Sequence, residues 1–313
     1  MKVGKVAVIG AGIMGSGIAL SCAFGGYRVS VRDVSEEVIE QAFRKMTSAA
    51  KTLVEADILA EKKAELNLKN IKGTMDMAEA VTDADLVIEA VPEKIELKKR
   101  VLKELDELCS TRTIFASNTS TFQITEMAKA TKRPGKIVGT HWMNPPYLLP
   151  LVEVIRGDKT SDETVNTVKL FLTSLGKKPI LCKDTPGFIV NRMQSALLVE
   201  AISLAEQGIA TMEDIDMTWT QHLGLRYCHI GPFEAMDLFG LDTELSQYSY
   251  LHEMLGETKF QPPDLLKRKV KNGELGLKTG KGFYDYTGKN IESITKQRDR
   301  RFIELMRLLR MER

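Results

Sequence analysis

The sequence lacks the features that build metal clusters, disulfide frameworks and membrane spans. Its four cysteines (Cys22, Cys109, Cys182 and Cys228) are widely spaced and include no C-x-x-C pair, so we expect neither a metal site nor a disulfide framework. No apolar run approaches the roughly 18 residues of a membrane-spanning helix. The opening MKVGKVAVIGAG is expected to start a strand rather than a signal peptide.

An excess of charge of one sign is also missing, because 44 Lys and Arg stand against 42 Asp and Glu. A chain this balanced is not expected to have nucleic acid or a membrane surface as its main partner. Hydrophobic residues make up 43% of the 313 residues, which is enough for a sizeable core. We therefore expect a soluble globular protein in the reducing environment of the cytoplasm.

Short apolar runs rich in β-branched residues alternate with segments of helical periodicity in the first part of the chain. The runs cover residues 5–9, 27–31, 86–91, 113–118, 136–140, 150–155 and 178–182. Such alternation predicts an α/β fold, a doubly wound and mainly parallel sheet with crossover helices. Residues 34–69 carry no strand signal and predict two helices. Strand patterns end near residue 186, so we predict one domain over 1–184 and an all-helical second domain over 185–313.

A glycine motif follows the first predicted strand. In VAVIGAGIMGSGIA, Gly10, Gly12 and Gly15 form G-x-G-x-x-G at a strand–turn–helix junction, with Ile13 and Met14 between them. The first two glycines let the backbone approach a pyrophosphate, and the helix N-terminus presents N–H groups to its charge. The alternative is an incidental glycine-rich turn. The setting favours a Rossmann-type dinucleotide-binding domain in which these five residues contact the cofactor.

An acidic residue ends the second predicted strand. Asp33 lies 18 residues after Gly15, where a carboxylate can bind both ribose hydroxyls of an adenosine and repel a 2′-phosphate. This favours NAD over NADP as the cofactor, although the neighbouring Arg32 is less typical of an NAD site.

His141 is one of only four histidines, and it directly follows the apolar run KIVGT. That position is the carboxyl end of a strand, the edge where ligands bind in open α/β sheets. Glu153 lies within the next apolar run, PLVEVI, and a buried carboxylate needs a partner. If the loop between the strands returns the chain, Glu153 meets His141, fixes one ring nitrogen and leaves the other as a general base. The alternative for each residue alone is a structural role.

Three further polar residues have two interpretations each. Asn144, in MNPP, is either a turn residue or an amide donor to substrate or cofactor. Ser120, after the run TIFASN, is either a helix N-cap or a ligand contact. Asn191, inside the apolar segment GFIVNRM, is predicted to be a buried polar group that needs a partner, and substrate is one candidate.

Seven segments in order along residues 5–286 resemble a known family. They are IGAGIMGSGIA, IEAVPEKIELK, FASNTSTFQIT, HWMNPPYLLPLVEV, DTPGFIVNR, GPFEAMDLFGLD and LKTGKGFYDY. Together they resemble the L-3-hydroxyacyl-CoA dehydrogenases, which include 3-hydroxybutyryl-CoA dehydrogenase. The resemblance implies an NAD-dependent oxidoreductase that acts on a small molecule and forms a homodimer through its second domain.

The resemblance also implies a role for each catalytic candidate. His141 would take the proton of the 3-hydroxyl while C3 gives its hydride to NAD, and Glu153 would orient His141. Ser120 and Asn191 match residues that hydrogen-bond the substrate hydroxyl and carbonyl, and Asn144 matches an asparagine near both ligands.

Three more residues are implied on the cofactor side. Glu93 and Lys98 match positions near the nicotinamide, and Lys278 matches one that reaches the cofactor from the second domain. Ser120 is implied at the cofactor as well as at the substrate.

The chain departs from the family pattern in three places. It has HWMNPP where many members have HFFNPV, so Trp142 and Met143 alter the wall beside the base. Around the position where coenzyme-A-binding members carry lysines it has Glu55 and Asp57, which would repel phosphates; possible substitutes are Lys51, Lys62 and Lys63. Residues 287–313 extend beyond many short members and predict an amphipathic helix, packed on the second domain or on a dimer partner; a membrane-surface helix is the alternative.

Three hypotheses therefore stand. The first is an NAD-dependent dehydrogenase of short-chain L-3-hydroxyacyl-CoA. The second keeps the chemistry but takes a free 3-hydroxy acid, as relatives acting on L-gulonate or L-carnitine do. The third is a structural NAD-binding protein resembling a lens crystallin of the same fold, and the presence of both His141 and Glu153 argues against it.

Overall fold

The computed structural model describes residues 3–309, and the chain divides into two compact units, Met1–Leu198 and Val199–Arg313. The domain boundary predicted after residue 184 lies 14 residues before this division, and it stays a prediction. Among residues 3–309, no helix combines the length and the apolar character needed to cross a membrane.

The first unit is built on a single sheet of eight strands in the order β3-β2-β1-β4-β5-β6-β7-β8. The strands are Lys5–Ile9 (β1), Arg28–Arg32 (β2), Ile71–Thr74 (β3), Leu86–Glu89 (β4), Ile114–Ser117 (β5), Ile137–Trp142 (β6), Leu151–Arg156 (β7) and Lys178–Lys183 (β8). Neighbouring strands are parallel except β6 and β7, which are antiparallel. The predicted doubly wound, mainly parallel sheet is confirmed.

Helices cover both faces of this sheet. The helices of the first unit are Ile13–Phe24 (α1), Glu36–Glu55 (α2), Glu61–Leu68 (α3), Met77–Val81 (α4), Ile95–Leu108 (α5), Ile124–Ala128 (α6) and Asp162–Ser174 (α7). The division between the units falls within a further helix, Val190–Glu206 (α8), which has no buried residue. One apolar core lies between the sheet and α1, α2 and α7, and a second lies between the sheet and α4, α5 and α6. Burial on both faces explains why the strands read as continuous apolar runs.

Strand β3 is the one strand that the sequence patterns missed. Its residues are IKGT, with a single large apolar side chain, so the strand has no apolar run of its own. Its place is set by parallel pairing with β2, in which Ile71 faces Val29. The two helices predicted within residues 34–69 are confirmed as α2 and α3.

The second unit consists of helices joined by turns. They are Met212–Thr218 (α9), Gly224–Tyr227 (α10), Pro232–Phe239 (α11), Leu241–Leu255 (α12), Asp264–Lys271 (α13) and Ile291–Leu308 (α14), with a π-helical stretch at Trp219–Leu223. Isolated bridges join Gly276 to Lys281 and Lys281 to Asp285. The helical character predicted for this part of the chain is confirmed.

The predicted amphipathic helix near the C-terminus is confirmed as α14, and residues 310–313 of the predicted extension lie outside the described residues. Phe302 packs edge-on against His229 with ring centroids 4.3 Å apart, so the helix packs on the second unit, as one of the two predicted placements requires. Ile303 and Leu308 remain exposed.

Candidate active site

The glycine turn after β1 has the backbone geometry that only glycine allows. Gly10 has φ of +104°, and a Cβ placed there would lie 2.5 Å from the Ala90 carbonyl oxygen. A Cβ on Gly15 would lie 1.7 Å from the Gly10 carbonyl oxygen, which explains why α1 packs so closely on the turn. A Cβ on Gly12 would meet nothing within 4 Å. Gly10 and Gly15 therefore shape the turn, and Gly12 leaves open space beside it.

A cleft of about 670 Å³ opens at this turn. It is lined by Gly10, Gly12, Ile13, Met14, Arg32, Asp33, Glu93, Asn118 and Ser120, among others. Helix α1 begins after Gly12 without a side-chain cap, so its first N–H groups remain available to an anion. The positive end of the helix dipole and these free donors fit a pyrophosphate. The cleft thus meets the steric and electrostatic needs of a dinucleotide.

Asp33 stands at the mouth of this cleft. Its Oδ2 accepts a hydrogen bond from the Ala11 N–H at 2.7 Å, and its Oδ1 accepts from Val34 at 2.7 Å. The carboxylate is therefore held against the glycine turn. Arg32 directs its Nε to the Met75 carbonyl oxygen at 3.1 Å, so part of its donor capacity is already used within the protein. That arrangement supports NAD rather than a 2′-phosphorylated cofactor.

The loop after β5 forms the other end of the cleft. Glu93 accepts hydrogen bonds at Oε1 from the Thr119 hydroxyl at 2.6 Å, from the Ser120 N–H at 3.0 Å and from the Thr121 N–H at 3.1 Å. The Ser120 carbonyl oxygen accepts from Asn191 Nδ2 at 2.9 Å. The backbone of Ser120 is therefore held by the Glu93 and Asn191 side chains. Ser120 is not a helix N-cap, because α6 begins after Gln123.

His141 and Glu153 lie opposite each other on the antiparallel strands β6 and β7. His141 Nδ1 and Glu153 Oε2 are 2.7 Å apart; the His141 side chain is 7% exposed and the Glu153 side chain 0%. The predicted contact is confirmed. Because Glu153 is an acceptor, Nδ1 carries the proton in the neutral ring and Nε2 is left with a lone pair.

Glu153 is also fixed from its other side. Its Oε1 accepts hydrogen bonds from the Ile189 N–H at 2.8 Å and the Val190 N–H at 3.0 Å, which lie where α8 begins. Burial of Glu153 acts to raise its pKa, but the hydrogen bonds from His141 and these two backbone groups outweigh burial, and the pKa lies below its ordinary value. Glu153 is therefore a carboxylate near neutral pH, and its three hydrogen-bond partners are all donors.

A second cavity, of about 590 Å³, opens in front of His141. It shares Met14, Asn118 and Ser120 with the dinucleotide cleft, and its other walls include Trp142, Met143, Asn144, Asn191 and Gln194. The two cavities therefore meet at the end of β5, beside the imidazole. A substrate carbon in this cavity can face a cofactor in the cleft, which is the arrangement that hydride transfer needs.

The predicted environment of Asn191 needs correction. The helical pattern predicted a buried amide, whereas Asn191 is only partly buried and its Nδ2 already binds the Ser120 carbonyl oxygen. No residue of α8 is buried, and Asn191 lines the cavity in front of His141. Asn144 lines the cavity from the β6–β7 loop. Substrate contact by either amide stays a prediction.

Two residues implied by resemblance have their ammonium groups occupied within the protein. The Lys98 side chain is 1% exposed, and its Nζ lies 2.8 Å from Glu89 Oε1 and 3.2 Å from Glu93 Oε2. Lys98 thus joins Glu89 to Glu93, and cofactor binding by Glu93 and Lys98 stays a prediction. In the second unit, Lys278 Nζ lies 2.6 Å from Asp242 Oδ2. Cofactor binding by Lys278 stays a prediction.

Three polar residues that position the site were missed by the sequence patterns. Asn118 Oδ1 accepts from the Trp142 N–H at 3.0 Å and holds β6 beside His141. Lys177, which is buried, donates to the Pro146 and Leu149 carbonyl oxygens, and burial lowers its pKa. Glu89 contacts Lys98 as described above. Asn118 had the same signal as Ser120, a polar residue just after a strand; Lys177 had none, because its partners are backbone carbonyls.

Comparison with known proteins finds matches over most of the chain. Residues 5–185 match the model of the 3-hydroxyacyl-CoA dehydrogenase NAD-binding domain, and residues 187–286 match that of the 3-hydroxyacyl-CoA dehydrogenase C-terminal domain. The chain belongs to the 3-hydroxyacyl-CoA dehydrogenase family. It is therefore an NAD-dependent oxidoreductase of this family, and the alternative of a purely structural protein is set aside.

Individual members of the 3-hydroxyacyl-CoA dehydrogenase family are similar over nearly the whole chain. A 5-formyl-3-hydroxy-2-methylpyridine 4-carboxylate 5-dehydrogenase from Mesorhizobium japonicum is 38% identical over 97% of this chain and 98% of that protein. A 3-hydroxybutyryl-CoA dehydrogenase from Bradyrhizobium diazoefficiens is 39% identical over 91% and 96%. The crystal structure of a 3-hydroxyacyl-CoA dehydrogenase from Archaeoglobus fulgidus matches with a TM-score of 0.82 and 38% identity, covering 98% and 99%.

Proposed function

We propose that the protein catalyses the reversible oxidation of the 3-hydroxyl of a short-chain L-3-hydroxyacyl-CoA to the 3-ketoacyl-CoA. The observation that carries this proposal is the buried His141–Glu153 pair, which lies where the dinucleotide cleft and the second cavity meet. NAD supplies the hydride acceptor. The protein supplies a base and donors for the substrate oxygens.

His141 Nε2 is proposed to take the hydroxyl proton, because Glu153 holds the ring by Nδ1 at 2.7 Å. The imidazolium that forms is then paired with a carboxylate that stays in place, which lowers the cost of the proton transfer. Ser120 and Asn191 are proposed to hold the substrate hydroxyl and carbonyl. The Asn191 amide has a fixed starting position because its Nδ2 donates a hydrogen bond to the backbone carbonyl oxygen of Ser120.

A second candidate substrate, a free 3-hydroxy acid, is favoured by the charges at the end of α2. Glu55 ends this helix and Asp57 follows in the turn, where their charges would repel the phosphates of coenzyme A. Lys51 is one of the residues that could replace the missing lysines, and its Nζ lies 3.7 Å from Glu55 Oε1. The relative from Mesorhizobium japonicum, whose name gives a pyridine carboxylate as its substrate, also shows that substrates differ between similar proteins.

The two candidates are separated by comparing acetoacetyl-CoA with acetoacetate and other free 3-keto acids in the NADH-dependent direction. We expect kcat/KM for acetoacetyl-CoA to exceed that for acetoacetate by at least about tenfold, since uniform binding of the larger substrate lowers KM. Replacing Glu55 and Asp57 with Gln and Asn should lower KM for the thioester and leave KM for acetoacetate unchanged. A higher kcat/KM for the free acid would select the second candidate.

We also propose a homodimer formed through the second unit. Several large apolar side chains of that unit are more than half exposed, and contiguous apolar surface of this kind marks protein–protein interfaces. They include Val199, Ile202, Ile209, Met212, Met217, Tyr250, Met254 and Leu308. Light scattering should give twice 35.0 kDa, and Met212→Glu should shift the mass towards the monomer. A wild-type monomer at micromolar concentration would contradict the proposal.

A cytoplasmic location stays a prediction. The four cysteines are free thiols in the structure, three of them buried and Cys228 exposed, which is compatible with a reducing compartment.

A further inference from the structure

A buried cluster of charged side chains lies directly beneath the catalytic end of the dinucleotide cleft. It consists of Glu89, Lys98 and Glu93, joined by ion pairs of 2.8 Å and 3.2 Å through Lys98. We propose that Glu89 is a positioning residue that holds Glu93 through Lys98 and gives this end of the cleft a net negative charge, which favours NAD⁺ over NADH. The proposal rests on NAD as the cofactor and not on the identity of the substrate.

Glu89, like Glu153, is held by several hydrogen bonds. It ends β4, is 1% exposed, and its Oε1 accepts hydrogen bonds from Lys98 Nζ and the Val91 N–H, both at 2.8 Å. Its Oε2 accepts from the Ser117 hydroxyl at 2.5 Å. A carboxylate with this many donors and no access to water keeps one orientation.

Lys98 needs this carboxylate because its ammonium group is buried. An ammonium without a partner would be expensive at 1% exposure. Without Glu89, Glu93 alone would have to neutralise the ammonium group. The Glu93 carboxylate would then be drawn away from the Ser120 and Thr121 N–H groups, from which it accepts hydrogen bonds at 3.0 and 3.1 Å. With Glu89 in place, Glu93 contacts Lys98 through one oxygen and holds the Ser120 loop with the other.

The charges of the cluster do not cancel. Two carboxylates against one ammonium leave a net charge of −1, and Glu93 brings it to the wall of the cleft, where its side chain is 37% exposed. Hydride transfer requires the nicotinamide ring where the cleft meets the cavity of His141. That ring is positive in NAD⁺ and neutral in NADH, so a nearby negative charge stabilises the oxidised form more.

The test is the ratio of the dissociation constants of NAD⁺ and NADH in the Glu89→Gln variant of the full-length protein. The glutamine oxygen can still accept from Lys98 and Val91, and its amide can donate to the Ser117 oxygen, so the shape of the cluster is kept. We expect the Kd of NAD⁺ to rise about threefold to tenfold and the Kd of NADH to change less than about twofold. Glu104→Gln, on the exposed face of α5, is the matched control and should change neither.

The outcomes decide the proposal without any substrate. An unchanged ratio, or an equal rise of both constants, in a variant with the thermal midpoint of the wild type would overturn it. If Glu89→Gln does not fold, Glu93→Gln removes the same charge from a partly exposed position, and the same selective weakening of NAD⁺ is then required. Failure of the proposed substrate assay would leave these titrations unaffected, so the two proposals fail independently.

Discussion

Replacing His141 with alanine is expected to lower kcat at least about a hundredfold while NAD binding survives. The reason is that hydride leaves carbon only as the hydroxyl proton is taken up. Nε2 of His141 carries the lone pair that accepts this proton. The dinucleotide cleft does not include the imidazole among its walls, so the Kd of NAD⁺ should change little. Steady-state kinetics measure kcat, and a titration of the protein's fluorescence with NAD⁺ measures its Kd.

Two controls make the His141 result specific. Alanine leaves the Glu153 carboxylate without its side-chain donor, which lowers the free energy of unfolding by about 1–3 kcal/mol. The amide of His141→Asn can still donate to Glu153. This variant should therefore show the same loss of kcat with less loss of stability. His222→Ala changes an exposed histidine of the second unit and should keep the wild-type rate. Unchanged turnover in both His141 variants would remove the proposed mechanism.

Replacing Glu153 with glutamine is expected to lower kcat by about a hundredfold or more, although the two side chains have nearly the same shape. Glu153 Oε1 must accept from the Ile189 and Val190 N–H groups, so the glutamine oxygen takes that place and its NH₂ turns to His141. An NH₂ group there needs Nδ1 as an acceptor, which moves the ring proton to Nε2 and removes the base.

The same variant has a second measurable consequence, for stability against pH. Because the pKa of Glu153 lies below its ordinary value of 4.5, the carboxylate stabilises the folded protein above the unfolded-state pKa. This contribution is lost as the pH falls through the lower folded-state pKa. Denaturant melts should therefore show the difference between wild type and Glu153→Gln shrinking below about pH 4.5, and a constant difference would contradict the assignment of Glu153 as a buried carboxylate.

The parts of the fold that could be predicted are those with a local signal. Strand β1 is a lysine and four apolar residues followed by a glycine turn, and its neighbours in the sheet are similarly apolar because both faces are covered by helices. Strand β3 could not be predicted, since IKGT has no apolar run and is a strand only through its pairing with β2.

The candidate site divides in the same way. Glu153 was found because a glutamate between valines must be buried, and Glu89, in LVIE, carried the same signal but was missed. Its partner Lys98 lies nine residues further on, in a different element, and a lysine in an amphipathic helix normally points to water. Asn191 was expected to be buried, but helical periodicity alone does not show whether another element covers a helix, and no residue of α8 is buried.

By itself, the sequence determined the alternation of strands and helices, the glycine turn and the presence of an imidazole and a carboxylate in adjacent apolar strands. Those properties depend on residues close together in the chain, whose side-chain periodicity and backbone freedom act locally. Only the tertiary structure decided that His141 faces Glu153 at 2.7 Å, that the two cavities meet at Ser120, and that Lys98 is shared between Glu89 and Glu93. These depend on the register of distant strands and on which helix face is covered, and the packing of the whole domain sets both.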